Sequence, residues 1–308
     1  MLLLLSLLAC SEEKSETENT ENTENIDDSK DWEAAALAEL SSDSCPNMSQ
    51  SGELVSFTSS GEERNVVIIF PDELTEDMRV VFFFHGLMPE NSNPAKQTAS
   101  GLQLQSFANS YNSIIILPES PVWDLMGQRF HLWDIEDGTY DNDLVLFDDL
   151  RTCVANAFTV DLDKVVSAGF SGGSLFNTIL ISHRSDTLAA VVEFSGGADL
   201  SIPLFENKFA PYSTPVQDIP VLLVSGGEND IWPDPTFTLV DFAAGTDTLQ
   251  ENLLLDEQVV VRCRHDQGHT ITNATFEAGL DWLVNHEFGQ PSPYASELGD
   301  WTADCEIP

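Results

Sequence analysis

From Glu53 onward, short apolar runs rich in Val, Ile and Phe alternate with longer stretches whose apolar residues recur every third or fourth position. A short continuous apolar run between turn residues reads as a strand, and a three-to-four spacing reads as one face of a helix. The runs predict strands over Leu54 to Thr58, Asn65 to Phe70, Val80 to Phe84, Ser113 to Leu117, Lys164 to Ala168, Ala190 to Phe194, Val221 to Val224 and Gln258 to Val261. The spacing predicts helices over Pro94 to Tyr111, Asn142 to Phe158, Gly172 to His183 and Asn273 to His286. In the second of these, Phe147, Leu150, Val154, Ala157 and Phe158 fall on one face. Val80-Val-Phe-Phe-Phe84 is apolar throughout, as expected of a parallel strand covered by helices on both sides. The class is therefore α/β: a mostly parallel central sheet, helices on both faces, and two or three leading strands paired antiparallel. In open sheets of this kind the chemistry gathers at the carboxyl ends of the strands.

The pattern breaks down before residue 45. Residues 11 to 44 carry twelve acidic residues against Lys14 and Lys30, and repeat Thr-Glu-Asn three times from Thr17 to Asn25. Such a stretch buries too little apolar surface to fold and reads as an acidic disordered tether, although Trp32 to Leu40 could form a short helical docking element. Ahead of it, Met1-Leu-Leu-Leu-Leu-Ser-Leu-Leu-Ala-Cys10 is an apolar run closed by a small residue and a cysteine. It resembles a bacterial lipoprotein signal. The resemblance implies that residues 1–10 end at a lipidated Cys10 and that the protein is exported and anchored to the cell envelope, touching the membrane only through its lipid. Residues 45–308 then form the α/β domain.

Charge narrows the partners. With 52 Asp and Glu against 12 Lys and Arg, the formal net charge is −40, and the excess persists when the leader is set aside. Nucleic acid is excluded as a partner on that ground. Besides Cys10 there are Cys45, Cys153, Cys263 and Cys305, an even set that favours two disulfides in an exported protein. Three pairings are open, and at least one bridge is expected to fasten a terminus.

The chemistry begins at the end of the strand Lys164 to Ala168, where Gly169-Phe-Ser-Gly-Gly173 leads into a helical pattern. This is G-x-S-x-G in its strand-turn-helix setting, and it makes Ser171 the candidate nucleophile. A nucleophile on so sharp a turn leaves no room for side chains two residues to either side. A serine needs a base and a carboxylate that orients the base, here expected in the order Ser, Asp or Glu, His. After Val221 to Val224, the turn Ser225-Gly-Gly-Glu-Asn-Asp230 offers Asp230, with Glu228, Asp234 and Asp199 as rivals. After the last strand, Gly268-His-Thr270 offers His269, with His265 as runner-up. His131, His183 and His286 read as structural. The oxyanion needs two backbone N–H donors, expected from Gly172 and from Leu87 in the loop His85-Gly86-Leu87-Met88, with His85 shaping that loop. Trp123, Trp133, Trp232 and Phe130 follow strands on the same side and could form an apolar substrate platform. Asp141 to Asp143 and Asp148-Asp149 read as solvated charges at a helix start.

These residues resemble the secreted α/β-hydrolases of the polyhydroxybutyrate depolymerase and feruloyl or acetyl-xylan esterase type. The likeness runs from His85-Gly86 through Leu117-Pro-Glu119, Val160 to Val165, the serine turn, Ser195-Gly-Gly197 and Gly268-His-Thr270. It implies an α/β-hydrolase fold without a large lid, acting as a monomer on carboxylic esters through an acyl-enzyme, with no metal or cofactor. Leu87 stands where depolymerases commonly have cysteine, and no added substrate-binding domain follows the last helix. Both departures lean toward soluble or short-chain esters. A serine peptidase of the same fold and a non-catalytic surface-binding protein are the alternatives.

Overall fold

Strands with apolar residues on both faces need two cores, and the protein builds both. The computed structural model describes residues 33–308 apart from positions 126, 203 and 204. Cys10 and the Thr-Glu-Asn repeats lie outside the described residues. The central sheet comprises β1 (Leu54–Ser59), β2 (Glu62–Ile69), β3 (Met78–Phe84), β4 (Ser113–Pro118), β5 (Val160–Phe170), β6 (Ala190–Phe194), β7 (Val221–Ser225), β8 (Val260–Arg264) and β9 (Asp304–Glu306). Its spatial order is β1-β2-β4-β3-β5-β6-β7-β8-β9. The β1–β2, β2–β4 and β8–β9 pairs are antiparallel, and the pairs between them are parallel.

The helices are α1 (Pro94–Gly101), α2 (Leu104–Ser110), α3 (Asp141–Ala157), α4 (Gly172–Arg184), α5 (Phe242–Leu255) and α6 (Asn273–Val284). Successive side chains of β3 point to opposite faces: Val80, Phe82 and Phe84 join the core under α3, α4 and α5, while Val81 and Phe83 join the core under α1, α2 and α6. Each fully buried Phe contributes about 1.5–3 kcal/mol relative to exposure.

The predicted helix over Pro94 to Tyr111 is two helices, broken where Gln103 adopts a left-handed φ of 53°. α5 was not predicted. Two further hairpin elements also escape the sequence reading: Ile231–Asp234 with Phe237–Asp241, and Val122–Leu125 with Gln128–His131, the latter joined by Met88–Pro89.

Residues 33–44, expected to belong to the tether, pack against the α/β domain. Residues 33–44 run without helix along α3. Arg151 donates to the carbonyls of Ala35 and Ala36, Thr152 donates to that of Ala38, and Ala35 N–H donates to Asp186 O. Satisfied backbone polar groups hold this stretch in place of a helix's own hydrogen bonds. The bridges are Cys45–Cys153 and Cys263–Cys305, so one fastens each end of the domain. Disulfides of this kind persist in oxidising compartments. No described helix is long and apolar enough to cross a membrane.

Two acids of α3 correct a second expectation, whereas Asp141 is exposed at the helix start as expected. Asp143 and Asp149 are buried rather than solvated. Asp143 forms an ion pair with Arg64, and Asp149 accepts from Ser41 N–H, Ser41 Oγ–H and Ser59 Oγ–H. Asp148 is half-buried against Arg184.

Candidate active site

β5 lies in the middle of the sheet and ends at the serine turn. Ser171 has φ 57° and ψ −122°, a backbone conformation that a non-glycine residue holds only under constraint. The constraint is visible. Ser171 N–H donates to Phe194 O at 2.9 Å, and Ser174 Oγ–H lies between Gly169 O and Phe194 O. A Cβ on Gly169 would lie 2.5 Å from the Gly173 backbone, and one on Gly173 would lie 2.1 Å from Phe84 O. The turn is thus pressed against the end of β3 and requires both glycines.

Two other glycines bring the acid turn to the histidine loop. A Cβ on Gly226 would lie 1.9 Å from Gly268 O, and Gly268 N–H donates to Gly226 O at 3.0 Å. This contact delivers a continuous hydrogen-bonded relay. Asp230 Oδ1 is 2.7 Å from His269 Nδ1, and His269 Nε2 is 2.9 Å from Ser171 Oγ. Asp230 is fully buried and its second oxygen accepts from Gly226 N–H at 2.7 Å. The imidazole is sandwiched between Phe242, at 4.2 Å between ring centroids, and Phe170, at 4.9 Å. Both rings hold its plane and keep water from its faces. Neither was singled out from the sequence, because Phe170 is the variable residue of the motif and Phe242 opens the unpredicted α5.

The rivals lie elsewhere. Glu228 is exposed, Asp234 caps Thr236, and Asp199 binds Lys208 and Asn252. His265 accepts from Gln267 N–H beside the relay rather than within it. His286 is buried between Trp282 O and Ser292, and His131 is buried with its Nδ1 at Ser120 O.

In the loop after β3, burial drives the His85 imidazole down to about 3, against the pull of its bond to Gly86 O, so it is neutral. Its Nδ1–H donates to Gly86 O at 2.7 Å and its Nε2 accepts from Ser120 N–H at 3.1 Å. The Leu87 nitrogen lies 3.7 Å from where a Gly172 Cβ would be, so the two expected donors are neighbours beside the serine turn. Gly172 is the first residue of α4, so its N–H is free of intrahelical bonding. Among the described residues Leu87 N–H has no protein acceptor.

A cavity of about 410 Å³ opens at Ser171. Its walls are mostly apolar, with Leu132, Leu175, Ile202, Phe205, Phe209 and Leu239 among them. Trp123, Trp133 and Trp232 all reach it, whereas Phe130 does not. Trp133 is buried, stacked on Phe176, and its Nε1–H donates to His85 O, so it holds the back wall and the oxyanion loop together. Trp123 is 47% exposed at the rim.

Beneath the turn, Glu193 on β6 is fully buried, and burial pushes its carboxyl up to about 8. Its Oε1 is 2.9 Å from Thr178 Oγ, which is also 2.9 Å from Gly197 O. A protonated carboxyl satisfies this array: Glu193 donates to Thr178, Thr178 donates to Gly197 O, and Gly197 N–H donates to Oε2. Because the folded pKa lies above the unfolded value of 4.5, the associated stability is complete below 4.5 and is lost as pH rises through about 8. Glu193→Gln, whose amide mimics the protonated acid, is expected to flatten the fall of Tm on the alkaline side. Parallel Tm curves for the two proteins would contradict this.

No family model matches the chain, and no curated protein matches it. Solved structures do. The crystal structure of native pOPH superposes with a TM-score of 0.66 over 90% of this chain and 97% of its own, at 18% identity. That of native sOPH gives 0.66 over 85% and 96%, at 16% identity. A thermostable esterase gives 0.52 over 76% and 63%, at 13% identity. At such identities the likeness is one of fold, and with the sheet order it gives this chain the α/β-hydrolase fold.

Proposed function

We propose that the protein is a serine esterase that cleaves carboxylic esters through an acyl-enzyme on Ser171. The observation that carries this reading is the Ser171–His269–Asp230 relay facing an apolar cavity. In the proposed reaction Ser171 Oγ attacks the ester carbonyl while His269 Nε2 takes its proton. The oxyanion is held by the N–H groups of Leu87 and Gly172, each worth about 10²–10³ in turnover. His269 then returns the proton to the departing alkoxide, and water releases the acyl group by the same route. Asp230 accepts Nδ1–H throughout and stabilises the imidazolium.

The substrate classes in view are polyhydroxyalkanoates, feruloyl or acetyl polysaccharides and short-chain esters. An apolar cavity of about 410 Å³ favours acyl or alcohol groups larger than acetyl. The neighbouring folds support the reading by example, since one relative is a thermostable esterase and a pOPH variant was crystallised with pNPB. On the same reading the chain works as an exported monomer anchored through Cys10. Cys10→Ala is expected to move it from the membrane fraction to the soluble fraction; retention in the membrane would count against the anchor.

The deciding experiment pairs p-nitrophenyl esters of graded acyl length with labelling by a fluorophosphonate. Hydrolysis that rises from acetyl to medium-chain esters, with the label on Ser171, is the expected result. Absence of both turnover and label would sink the proposal.

A further inference from the structure

Among the described residues, every titratable side chain lining the cavity apart from His269 is a carboxylate: Asp124, Asp134 and Glu136. Asp124 and Glu136 stand toward the open side, already engaged by Gly127 N–H and Asn207, and the general acidity of the surface accounts for them. Asp134 is different. It is only 9% exposed, and among the described residues no Lys or Arg forms an ion pair with its carboxylate. The nearby cation, Arg64, is engaged by Asp143, which also accepts Asp134 N–H at 2.8 Å. The Trp123 indole lies beside the carboxyl and weakly favours its charged form. Burial, followed by the like charge of Asp143, pushes the Asp134 carboxyl up to about 7 against the weaker pull of Arg64.

A buried carboxyl without a cation costs stability, and the cost is offset when a ligand brings the missing charge. Trp123, Trp133, Phe205 and Phe209 line the same cavity as Asp134. Aromatic faces and a carboxylate attract the same kind of group, a weakly hydrated alkylammonium cation. The net charge of −40 acts in the same direction at longer range.

We propose that Asp134 selects the charge of the ester group entering the cavity, so that an apolar group ending in a quaternary or alkylated ammonium is taken best, its neutral isostere next, and a carboxylate-bearing group is rejected. This deepens the esterase reading and rests on it. The charged groups acting on Asp134 are Asp143 from α3 and Arg64 and Glu62 from β2, and Asp124, Glu136 and His269 line the same cavity. As pH rises through about 7 Asp134 loses its proton, the cavity wall gains a negative charge, and the preference for the cation grows.

The test uses the full-length protein and three p-nitrophenyl esters: of trimethylammoniobutanoate, of its tert-butyl isostere and of adipate. Any effect of pH that is common to the three esters cancels in their ratios. The cation-to-neutral ratio of kcat/KM is expected to rise about tenfold between about pH 6 and about pH 8, with the adipate ester poorest throughout. Asp134→Asn is expected to flatten that rise. Equal kcat/KM for the cationic and neutral esters at the alkaline end overturns the proposal, as does a ratio unchanged by Asp134→Asn. If the variant fails to fold, the wild-type profile decides, since a ratio independent of pH overturns it equally. Failure of all three esters together with failure of fluorophosphonate labelling would instead strike the esterase reading.

Discussion

Ser171→Ala is expected to lower kcat on a p-nitrophenyl ester by about 10⁴-fold or more, with KM little changed. The magnitude follows from what the hydroxyl does: no other described oxygen nucleophile sits at His269 Nε2, and water cannot take the place of Oγ without losing its fixed 2.9 Å approach. His269→Ala is expected to cost as much, and the double variant little more than either single one, because base and nucleophile act as one unit. Asp230→Asn costs less. It leaves the ring sandwiched by Phe170 and Phe242, but its amide can meet His269 Nδ1 in the wrong tautomer. Residual activity in each case reflects binding in the cavity and the donors at Leu87 and Gly172. Steady-state kinetics on the three single variants and the double variant checks the pattern; additive losses, or a Ser171→Ala protein within tenfold of wild type, would remove Ser171 from the centre of the chemistry.

How far this site was legible depended on whether its signal was local. The serine turn, the acid turn and the Gly268-His-Thr270 loop each follow an apolar strand and each carry a glycine, so chain order alone brought out Ser171, Asp230 and His269 as a set. What the sequence does not spell is which glycine is needed for what. Gly226 and Gly268 turn out to touch each other, a contact between segments 42 positions apart that no spacing rule contains. The apolar strands were equally plain, because burial on both faces leaves a continuous run. α5 was not: Phe242–Leu255 includes Gly245, Thr246, Asp247 and Thr248, all poor helix formers, and its helicity rests on packing Phe242, Leu249 and Leu253 into the core. Asp143 and Asp149 of α3 differ from expectation for the opposite reason. Their local pattern is that of a solvated helix start, but Arg64, Ser41 and Ser59 arrive from far away in sequence to bury them. Asp134 was overlooked in the same way, since burial is a property of the fold and not of the residue.

Gly173→Ala is the second change expected to have a large effect, although it removes no reacting atom. The added methyl would stand 2.1 Å from Phe84 O, 2.4 Å from Phe84 C and 2.7 Å from His85 O. These are backbone atoms at the end of a central strand, so no side-chain rotation relieves the overlap. Two adjustments remain. If β3 and its loop give way, His85 and Leu87 move, and one oxyanion donor leaves the serine. If α4 gives way, the turn opens, Ser171 relaxes from its φ of 57°, and Oγ withdraws from His269. Either route separates groups that must meet to within a few tenths of an ångström, so kcat is expected to fall by about 10²-fold or more. Forcing a methyl into packed backbone also lowers stability, by about 1–3 kcal/mol. The two effects are separable. Thermal unfolding reads the stability loss, and kcat measured well below the variant's Tm reads the geometric one. Gly101→Ala, at the end of α1 and away from the site, is the control for an added methyl, because its Cβ would meet nothing within 4 Å. A Gly173→Ala protein as active and as stable as that control would mean that the turn is not pressed against β3, and the account of why Ser171 is held in its strained conformation would fail with it.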